Sequence, residues 1–260
     1  MKVVLFCGGL GMRLREYSEV IPKPMVALGY RPILWHVMRY YAHFGHKEFI
    51  LCLGHRGDLI KKYFVNYDES VSNDFVLTKG GKDLKLIATD IEDWTITFVD
   101  TGLNANIGQR LCAVKKYLGS DKVFLANYAD GLTDLDFAVY LERFMARDKV
   151  ASFLAARPTQ SFHVVTVKNQ DQIAAIRPLG ESEIWINSGF FVFRKEIFDY
   201  IREGEDLVKE PFRRLIEKDK IMTHKHEGFW MAMDTFKDKQ VLDEMVSKDD
   251  MPWEVWRAKT

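Results

Sequence analysis

The sequence has little cysteine, which excludes a disulfide framework and a cysteine-ligated metal. Only three cysteines, Cys7, Cys52 and Cys112, occur among its 260 residues. They are far apart in the chain and show no C-x-x-C or Cys/His ligand spacing. Each lies in an apolar run, so we expect buried thiols in a reducing compartment, with a reactive thiol as the less favoured alternative.

The sequence also lacks an excess of either charge and any long apolar run. Lysine plus arginine and aspartate plus glutamate both total 37, which gives no electrostatic basis for binding nucleic acid or an anionic membrane. No stretch approaches the roughly 18 apolar residues of a membrane span. The apolar stretch that begins at Val3 is too short for a signal peptide. We therefore expect a cytoplasmic protein that binds neither nucleic acid nor a membrane.

What the sequence does contain is an alternation of apolar strands and amphipathic helices. The first half alternates strand and helix, which indicates a parallel sheet, and the second half is richer in antiparallel signals. No linker rich in proline, glycine or serine divides the chain, so we predict a single domain over 1–260. The predicted strands are 2–7, 49–53, 75–78, 85–88, 95–99, 123–127, 150–156, 164–167, 173–176, 186–193 and 221–225. The predicted helices are 33–44, 58–67 with Asp58 as N-cap, 110–118, one from Asp134 or Asp136 to 146, 195–203, 211–218 and 235–247.

Three glycines interrupt the chain directly after the first predicted strand. Gly8, Gly9 and Gly11 would let the backbone approach a ligand closely, and a turn of free N–H groups that runs into a helix suits phosphate. Arg13 and Lys23 supply cations nearby. The same glycines would also suit a turn that serves packing alone. Because neither G-x-G-x-x-G nor G-x-x-x-x-G-K-[ST] is present, our hypothesis is a nucleotide-binding loop of another kind.

Two aspartates stand where an α/β sheet commonly binds ligands. Asp130 follows the most apolar predicted strand and precedes Gly131, and Asp234 precedes the last predicted helix. Mg²⁺ typically takes one or two carboxylates and completes its shell with substrate phosphates. For Asp130 a turn or N-cap role is an equal alternative, and for Asp234 that role is the favoured one.

The histidines and hydroxyl residues show no pattern of a metal site or a nucleophile. His36 and His43 are predicted on one helix at surface or half-buried positions, and His163 beside a strand is a minority candidate for a pocket. No G-x-S-x-G or Ser-His-Asp signal occurs. Cations and carboxylates without an activated nucleophile favour direct group transfer over a covalent intermediate.

Several segments together resemble the sugar-1-phosphate nucleotidyltransferases, and within them the glucose-1-phosphate cytidylyltransferase type. The resemblance covers nearly the whole chain. The general loop G-G-x-G-T-R-L identifies only the superfamily, whereas the D-T-G, I-L-W-H and G-F-W segments single out the cytidylyltransferase branch. The matching segments are 8–14, 22–25, 31–36, 99–102, 110–111, 128–131, 186–191 and 228–235.

The resemblance implies an α/β, Rossmann-like nucleotide-diphospho-sugar transferase fold, with a mostly parallel mixed sheet flanked by helices and a small antiparallel extension. It implies a nucleotide-binding half at about 1–135, an acceptor-binding half at about 136–260, and a homo-oligomer. The implied reaction is Mg²⁺-dependent transfer of a cytidylyl group from CTP to a phosphorylated acceptor. The implied metal ligands are Asp130 and Asp234, and the implied cations that neutralise the triphosphate are Arg13 and Lys23. The resemblance also implies nucleotide-binding roles for Gly8, Gly9, Gly11, Arg110 and Ala129. The implied acceptor-binding residues are Arg177, Asn187, His163 and Trp230.

Departures from the family pattern concentrate on the acceptor side. Met12 replaces the loop threonine and Ala129 a glycine, while Arg177 stands where the family has the lysine that meets the sugar phosphate. His163 occupies a position where the family has a small residue. Arginine keeps the charge of lysine but not its geometry. The acceptor could therefore be a phosphorylated compound other than glucose 1-phosphate. The alternatives are another nucleoside triphosphate, or a catalytically weak relative that binds nucleotide for regulation.

Overall fold

A computed structural model describes residues 1–9, 21–159 and 161–257 of the chain. Its strands are β1 (Lys2–Phe6), β2 (Ala27–Leu28), β3 (Arg31–Pro32), β4 (Glu48–Leu53), β5 (Phe75–Thr78), β6 (Asp83–Leu86), β7 (Thr95–Asp100), β8 (Val123–Asn127), β9 (Gly131–Thr133), β10 (Ala151–Ala156), β11 (His163–Lys168), β12 (Gln172–Pro178), β13 (Ile186–Arg194), β14 (Ile221–His226) and β15 (Trp230–Ala232). The α-helices in the described residues are α1 (Ile33–His43), α2 (Gly57–Val65), α3 (Ile107–Val114), α4 (Phe137–Met145), α5 (Glu210–Glu217) and α6 (Phe236–Ser247). None of these helices is long and apolar enough to cross a membrane.

A seven-stranded sheet forms the centre of the protein, in the order β14-β10-β13-β8-β1-β4-β7. Strands β8, β1, β4 and β7 are parallel to one another, and β10 is parallel to β14. Only β13 runs in the opposite direction, because it pairs antiparallel with both β8 and β10. The predicted fold class, a mostly parallel mixed sheet, is confirmed. The segment at 95–99, predicted as a strand, is the parallel edge strand β7.

The sheet is buried on both faces, which explains why its strands are continuous apolar runs. In β1 the alternate residues Val3 and Leu5 belong to one hydrophobic cluster, and Val4 and Phe6 belong to the other. Helices α1 and α4 cover the first face, while α3 and α5 cover the second. Because both faces need apolar side chains, the alternation of a half-exposed strand is absent.

Helix α1 lies as predicted, but one of its histidines does not. Gly45, with φ +82°, follows the helix and allows the left-handed turn that ends it. His36 is 3% exposed, and its Nε2 lies 3.0 Å from the carbonyl oxygen of Leu28. The surface or half-buried position predicted for His36 is therefore wrong, because α1 packs on the sheet with nearly all of its circumference covered. His43 at the last turn is exposed, as expected.

Three other sequence expectations are corrected by the local geometry. Helix α2 has Arg56 as its N-cap, with φ 50°, so Asp58 lies in the first turn and is not the cap. Helix α3 begins three residues earlier than predicted because Asn106 and Gln109 form a capping box, and 115–118 is a 3₁₀ turn. The helix predicted at 195–203 is only a 3₁₀ turn, Lys195–Asp199.

The cysteine prediction holds for two of the three thiols. Cys7 and Cys52 are buried, and burial raises the pKa of each thiol. Cys112 is exposed, which corrects the third expectation. The reason is the orientation of α3, which turns Leu111 and Val114 towards the core and leaves Cys112 on the outer side.

Two antiparallel hairpins project from this core. The pair β11–β12 is the predicted antiparallel extension, and β5–β6 lies near the opposite edge of the sheet. Nearly every residue of both hairpins is exposed. The β11–β12 hairpin carries two of the residues that the sequence assigned to an acceptor.

Candidate active site

The carboxyl ends of β1 and β8 lie side by side and place the glycine turn next to Asp130. Strand β1 leads into Cys7 and Gly8, and the parallel strand β8 leads into the turn that contains Asp130. That turn is held by Asn127, whose Oδ1 accepts a hydrogen bond of 2.8 Å from the backbone N–H of Ala129. Ala129 is fully buried and has φ 64°, a left-handed conformation that is unfavourable for a residue with a Cβ.

Lys23 joins the two aspartates into one cluster. Its Nζ donates to Oδ2 of Asp130 at 2.5 Å and to Oδ1 of Asp234 at 2.6 Å. Lys23 begins the 3₁₀ turn Lys23–Met25 and lies between Pro22 and Pro24. Because proline fixes φ, the loop that carries Lys23 is rigid. Burial lowers the pKa of Lys23, but the attraction of Asp130 and Asp234 outweighs it and the net shift is upwards. Lys23 therefore stays charged at neutral pH.

Asp234 is not the N-cap of the last helix, so the N-cap role that the sequence favoured for it is wrong. Thr235 is the N-cap of α6, and Thr235 and Asp238 form a capping box. The carboxylate of Asp234 instead lies against Lys23.

The two carboxylates contact the same cation, so they lie near each other, as two ligands of one divalent metal would. No group of three or more potential metal ligands occurs in the described residues, so a metal here would take the rest of its shell from substrate or water. Mg²⁺ is the ion that tolerates so few protein ligands. The residues therefore fit Mg²⁺, and Lys23 currently supplies the positive charge between them.

Arg110 lies behind the glycine turn and braces it. Its guanidinium donates to the carbonyl oxygens of Leu53 (3.1 Å) and Gly8 (2.9 Å), and to Oγ1 of Thr101 (2.7 Å). A Cβ on Gly8 would lie 2.0 Å from Nη1 of Arg110. Glycine is required at position 8 because the guanidinium occupies the space of a side chain. Arg110 is 3% exposed and its hydrogen bonds hold the turn, while its contact with the nucleotide stays a prediction.

A cavity of about 280 Å³ lies in front of this turn. Gly9, Lys23, Arg110 and Asp130 line it, as the sequence grouped them. Gly11, Met12 and Arg13 lie outside the described residues, and their predicted roles stay predictions. Among the further lining residues, sequence reasoning missed three with polar side chains, Asn106, Tyr128 and Asp206. A single amide, phenol or carboxylate in a loop or cap carries no recognisable spacing.

The residues predicted to bind the acceptor fall into two groups. Asn187 lies near the cluster, since its Nδ2 contacts the hydroxyl of Tyr128 at 3.4 Å. Trp230 is buried, and its indole N–H donates to the carbonyl oxygen of Ser188 at 3.1 Å. These two side chains hold the strands that frame the site.

His163 and Arg177, the second group, lie on the exposed β11–β12 hairpin. His163 pairs with Pro178 and Val164 pairs with Arg177. Since directly paired residues share a face and neighbours alternate, His163 and Arg177 project from opposite faces of the hairpin. The two side chains cannot both face one acceptor, and neither side chain makes a hydrogen bond or ion pair with the part of the chain that the structure describes.

Comparison with known proteins assigns the chain to a family. A sequence profile of the nucleotidyl transferase family matches residues 2–240. The glucose-1-phosphate cytidylyltransferases of Salmonella typhimurium and of Salmonella typhi are each 37% identical to the chain over 258 residues, which is 98% of this chain and 100% of the relative.

Solved structures agree with this at the level of the fold. UDP-glucose pyrophosphorylase in complex with UDP-glucose superposes with a TM-score of 0.69 at 12% identity, covering 95% of this chain and 98% of that one. At such low identity the likeness establishes the shared Rossmann-like architecture alone. The profile and the close relatives, together with the fold, show that the chain is an enzyme of the nucleotidyl transferase family.

Proposed function

We propose that the protein transfers a cytidylyl group from CTP to a sugar 1-phosphate such as glucose 1-phosphate, or to another phosphorylated compound, and releases pyrophosphate. The observation that carries this proposal is the cluster of Lys23 between Asp130 and Asp234 at the carboxyl edge of the sheet. The choice of CTP and of a sugar 1-phosphate is supported by the 37% identity of the chain to the Salmonella glucose-1-phosphate cytidylyltransferases.

The chain's own residues would act by positioning and by charge. Mg²⁺ held by Asp130 and Asp234 would neutralise charge on the phosphates. Lys23, released from one or both carboxylates, would bind the triphosphate, and the glycine turn would hold the nucleotide through backbone N–H groups. A phosphate oxygen of the acceptor forms a bond to the α-phosphorus of CTP as the bond from that phosphorus to pyrophosphate breaks. No covalent enzyme intermediate is needed.

The acceptor side of the proposal is less specific. Asn187 beside Tyr128 supports an acceptor near Asp130. Arg177 would bind the acceptor phosphate, and because His163 projects from the other face of the hairpin, only one of the two would contact it. We further propose that residues 1–260 act as one catalytic unit, in a cytoplasmic homo-oligomer. The near-complete coverage of the relatives supports the single unit.

The test is pyrophosphate release by the purified protein with Mg²⁺, each of CTP, UTP, dTTP, GTP and ATP, and a panel of sugar 1-phosphates and other phosphorylated acceptors. We expect turnover with CTP and at least one acceptor, and loss of that turnover in Asp130→Asn. Turnover with another triphosphate instead of CTP would support nucleotidyl transfer but contradict CTP as the donor. Nucleotide binding without turnover for any pair would favour the regulatory alternative and overturn the proposed activity.

A further inference from the structure

One carboxylate oxygen of the cavity receives no hydrogen bond from the residues that the structure describes. Oδ1 of Asp206 is buried, and no described residue donates to it. Asp206 also lines the cavity in front of the glycine turn, together with Lys23 and Asp130. A buried acceptor that lacks a donor is unfavourable, and in folded proteins such groups are rare. A ligand that brings a donor into the cavity would satisfy this oxygen.

The backbone around Asp206 is fixed against helix α3. Asn106 Nδ2 donates to the carbonyl oxygen of Gly204 at 2.9 Å. On the other side of Asp206, Leu207 is completely buried. The neighbouring carbonyl oxygen of Glu205 would lie 2.3 Å from a Cβ on Gly108, so this segment packs against the helix as closely as a glycine permits. The carboxylate is therefore carried on a constrained backbone, as a recognition group needs to be.

The strong donors of the cavity are already engaged elsewhere. Lys23 donates to Asp130 and Asp234. The guanidinium of Arg110 donates to protein carbonyl groups and to a threonine hydroxyl, and the Asn106 amide is used by Gly204. These described donors are therefore not available to Oδ1 of Asp206, and a ligand with an N–H or O–H group can supply one.

We propose that Asp206 accepts a hydrogen bond from the exocyclic amine of the nucleotide base, and that this contact selects cytosine over uracil and thymine. The inference rests on the proposed nucleotidyl transfer and adds the residue that chooses the base. Aspartate and glutamate are suitable acceptors for the N4 amine of cytosine. Uracil and thymine carry a carbonyl oxygen at the same ring position, which would face the carboxylate with no proton between them.

The positions of the charged groups agree with a nucleotide whose phosphates lie at Lys23 and whose base lies at Asp206. Lys23 and Asp130, which we assign to the phosphates, line the same small cavity as Asp206. Asp206 is carried by the segment packed on α3, whereas Asp130 follows β8. A nucleotide with its phosphates at Lys23 can therefore direct its base towards Asp206. A ribose hydroxyl is the other donor on the same molecule, and the experiment separates the two.

The experiment measures kcat/KM for CTP, UTP and 2′-deoxy-CTP, and the Kd of CDP and UDP by calorimetry, in the wild type, Asp206→Asn and Asp206→Ser. The matched control is Glu203→Gln, an exposed carboxylate three residues away. We expect the wild type to prefer CTP over UTP by at least about 10²-fold. In Asp206→Asn the preference should fall to about tenfold or less, because the amide can donate to the uracil oxygen. Glu203→Gln should keep the wild-type ratio.

Each alternative outcome is distinct. A wild type that uses CTP and UTP equally, or an Asp206→Asn variant that keeps the wild-type ratio, overturns the inference and leaves the proposed transfer intact. Loss of discrimination against 2′-deoxy-CTP with an unchanged CTP/UTP ratio assigns Asp206 to the ribose and also overturns it. If Asp206 variants fail to fold, equal Kd values of CDP and UDP for the wild type suffice to reject it. Absence of turnover with every triphosphate is a failure of the proposed function itself.

Discussion

Lys23, Asp130 and Asp234 are held by contacts with one another at the carboxyl edge of the central sheet. The side chains of Arg177 and His163, on the β11–β12 hairpin, make no hydrogen bond to any described residue. The first group is at most one-third exposed, and the hairpin is exposed along nearly its whole length. The group that we propose for metal and nucleotide is thus held in place by protein contacts. The side chains that we propose for the acceptor are not held in this way.

This difference between the cluster and the hairpin indicates where substitutions can be tolerated. A group fixed by several protein contacts cannot change without disturbing its partners, as Gly8 and Arg110 illustrate. A side chain on an exposed hairpin can change at little cost to folding. The departures from the family pattern at Arg177 and His163 lie in the tolerant region.

The largest effect is expected at the fixed side. Asp234→Ala should lower turnover by roughly 10³-fold or more, because it removes one of two carboxylates for the metal. It should also abolish tight Mn²⁺ binding in the presence of CTP, measured by electron paramagnetic resonance. The matched control is Asp250→Asn, an exposed aspartate on the turn after α6. Unchanged turnover in Asp234→Ala would remove this residue from the metal site.

The pH dependence of the free energy of unfolding tests the burial of His36 on helix α1. Burial, together with the charge of Arg257, lowers the pKa of His36 to about 4. The unfolded chain takes up a proton near pH 6.5 and the folded chain does not, so stability present above pH 6.5 is lost as the pH falls towards 4. The loss at pH 4 should be about 3 kcal/mol in the free energy of unfolding.

Urea unfolding of the wild type and His36→Gln at pH 7.5 and pH 4 measures this contribution. The variant should lose about 3 kcal/mol less than the wild type over that range. His43→Gln, at the exposed end of the same helix, serves as the control and should follow the wild type. Equal losses in the wild type and His36→Gln would show that folding does not lower the pKa of His36.

A smaller effect, on the free energy of unfolding, is expected for a substitution in the glycine turn. Gly8→Ala should lower the free energy of unfolding by about 1–3 kcal/mol, because its methyl group would overlap the Arg110 guanidinium. Gly9→Ala is the matched control, since nothing described lies within 4 Å of a Cβ there, and it should change stability by less than about 0.5 kcal/mol. Equal melting temperatures for the two variants would contradict the bracing role of Arg110.

The smallest effect is expected on the hairpin. Arg177→Gln should raise the KM of the acceptor by about tenfold and that of CTP by less than about twofold, with no loss of stability. Lys168→Gln, another exposed cation of the hairpin, should change neither KM. Equal effects of Arg177→Gln on both KM values would remove Arg177 from the acceptor site and leave the hairpin without an assigned function.

Much of the fold followed from the sequence, for a clear physical reason. Strands buried on both faces are apolar throughout, so β1, β4 and β8 could be located from their residues alone. The errors came where a tertiary or capping contact decides. The start of α3 depends on the Asn106–Gln109 capping box, and the burial of His36 depends on the packing of α1.

The site was predictable only in part. Asp130 follows from the rule for the ends of parallel strands, and Asp234 was ambiguous until Thr235 proved to be the helix cap. Asp206 could not be found, because its significance depends on an unsatisfied oxygen that only coordinates reveal. The opposite orientation of His163 and Arg177 likewise depends on the pairing register of β11 and β12.

The contacts of Lys23 also have a consequence for biosynthesis. Lys23 meets Asp130 across 107 residues and Asp234 across 211 residues of sequence. Closing such long loops is entropically costly, and non-local contacts slow folding. The cluster cannot be completed on the ribosome until the segment with Asp234 has emerged. Metal and nucleotide together should therefore bind only after the segment that carries Asp234 has emerged and folded onto Lys23.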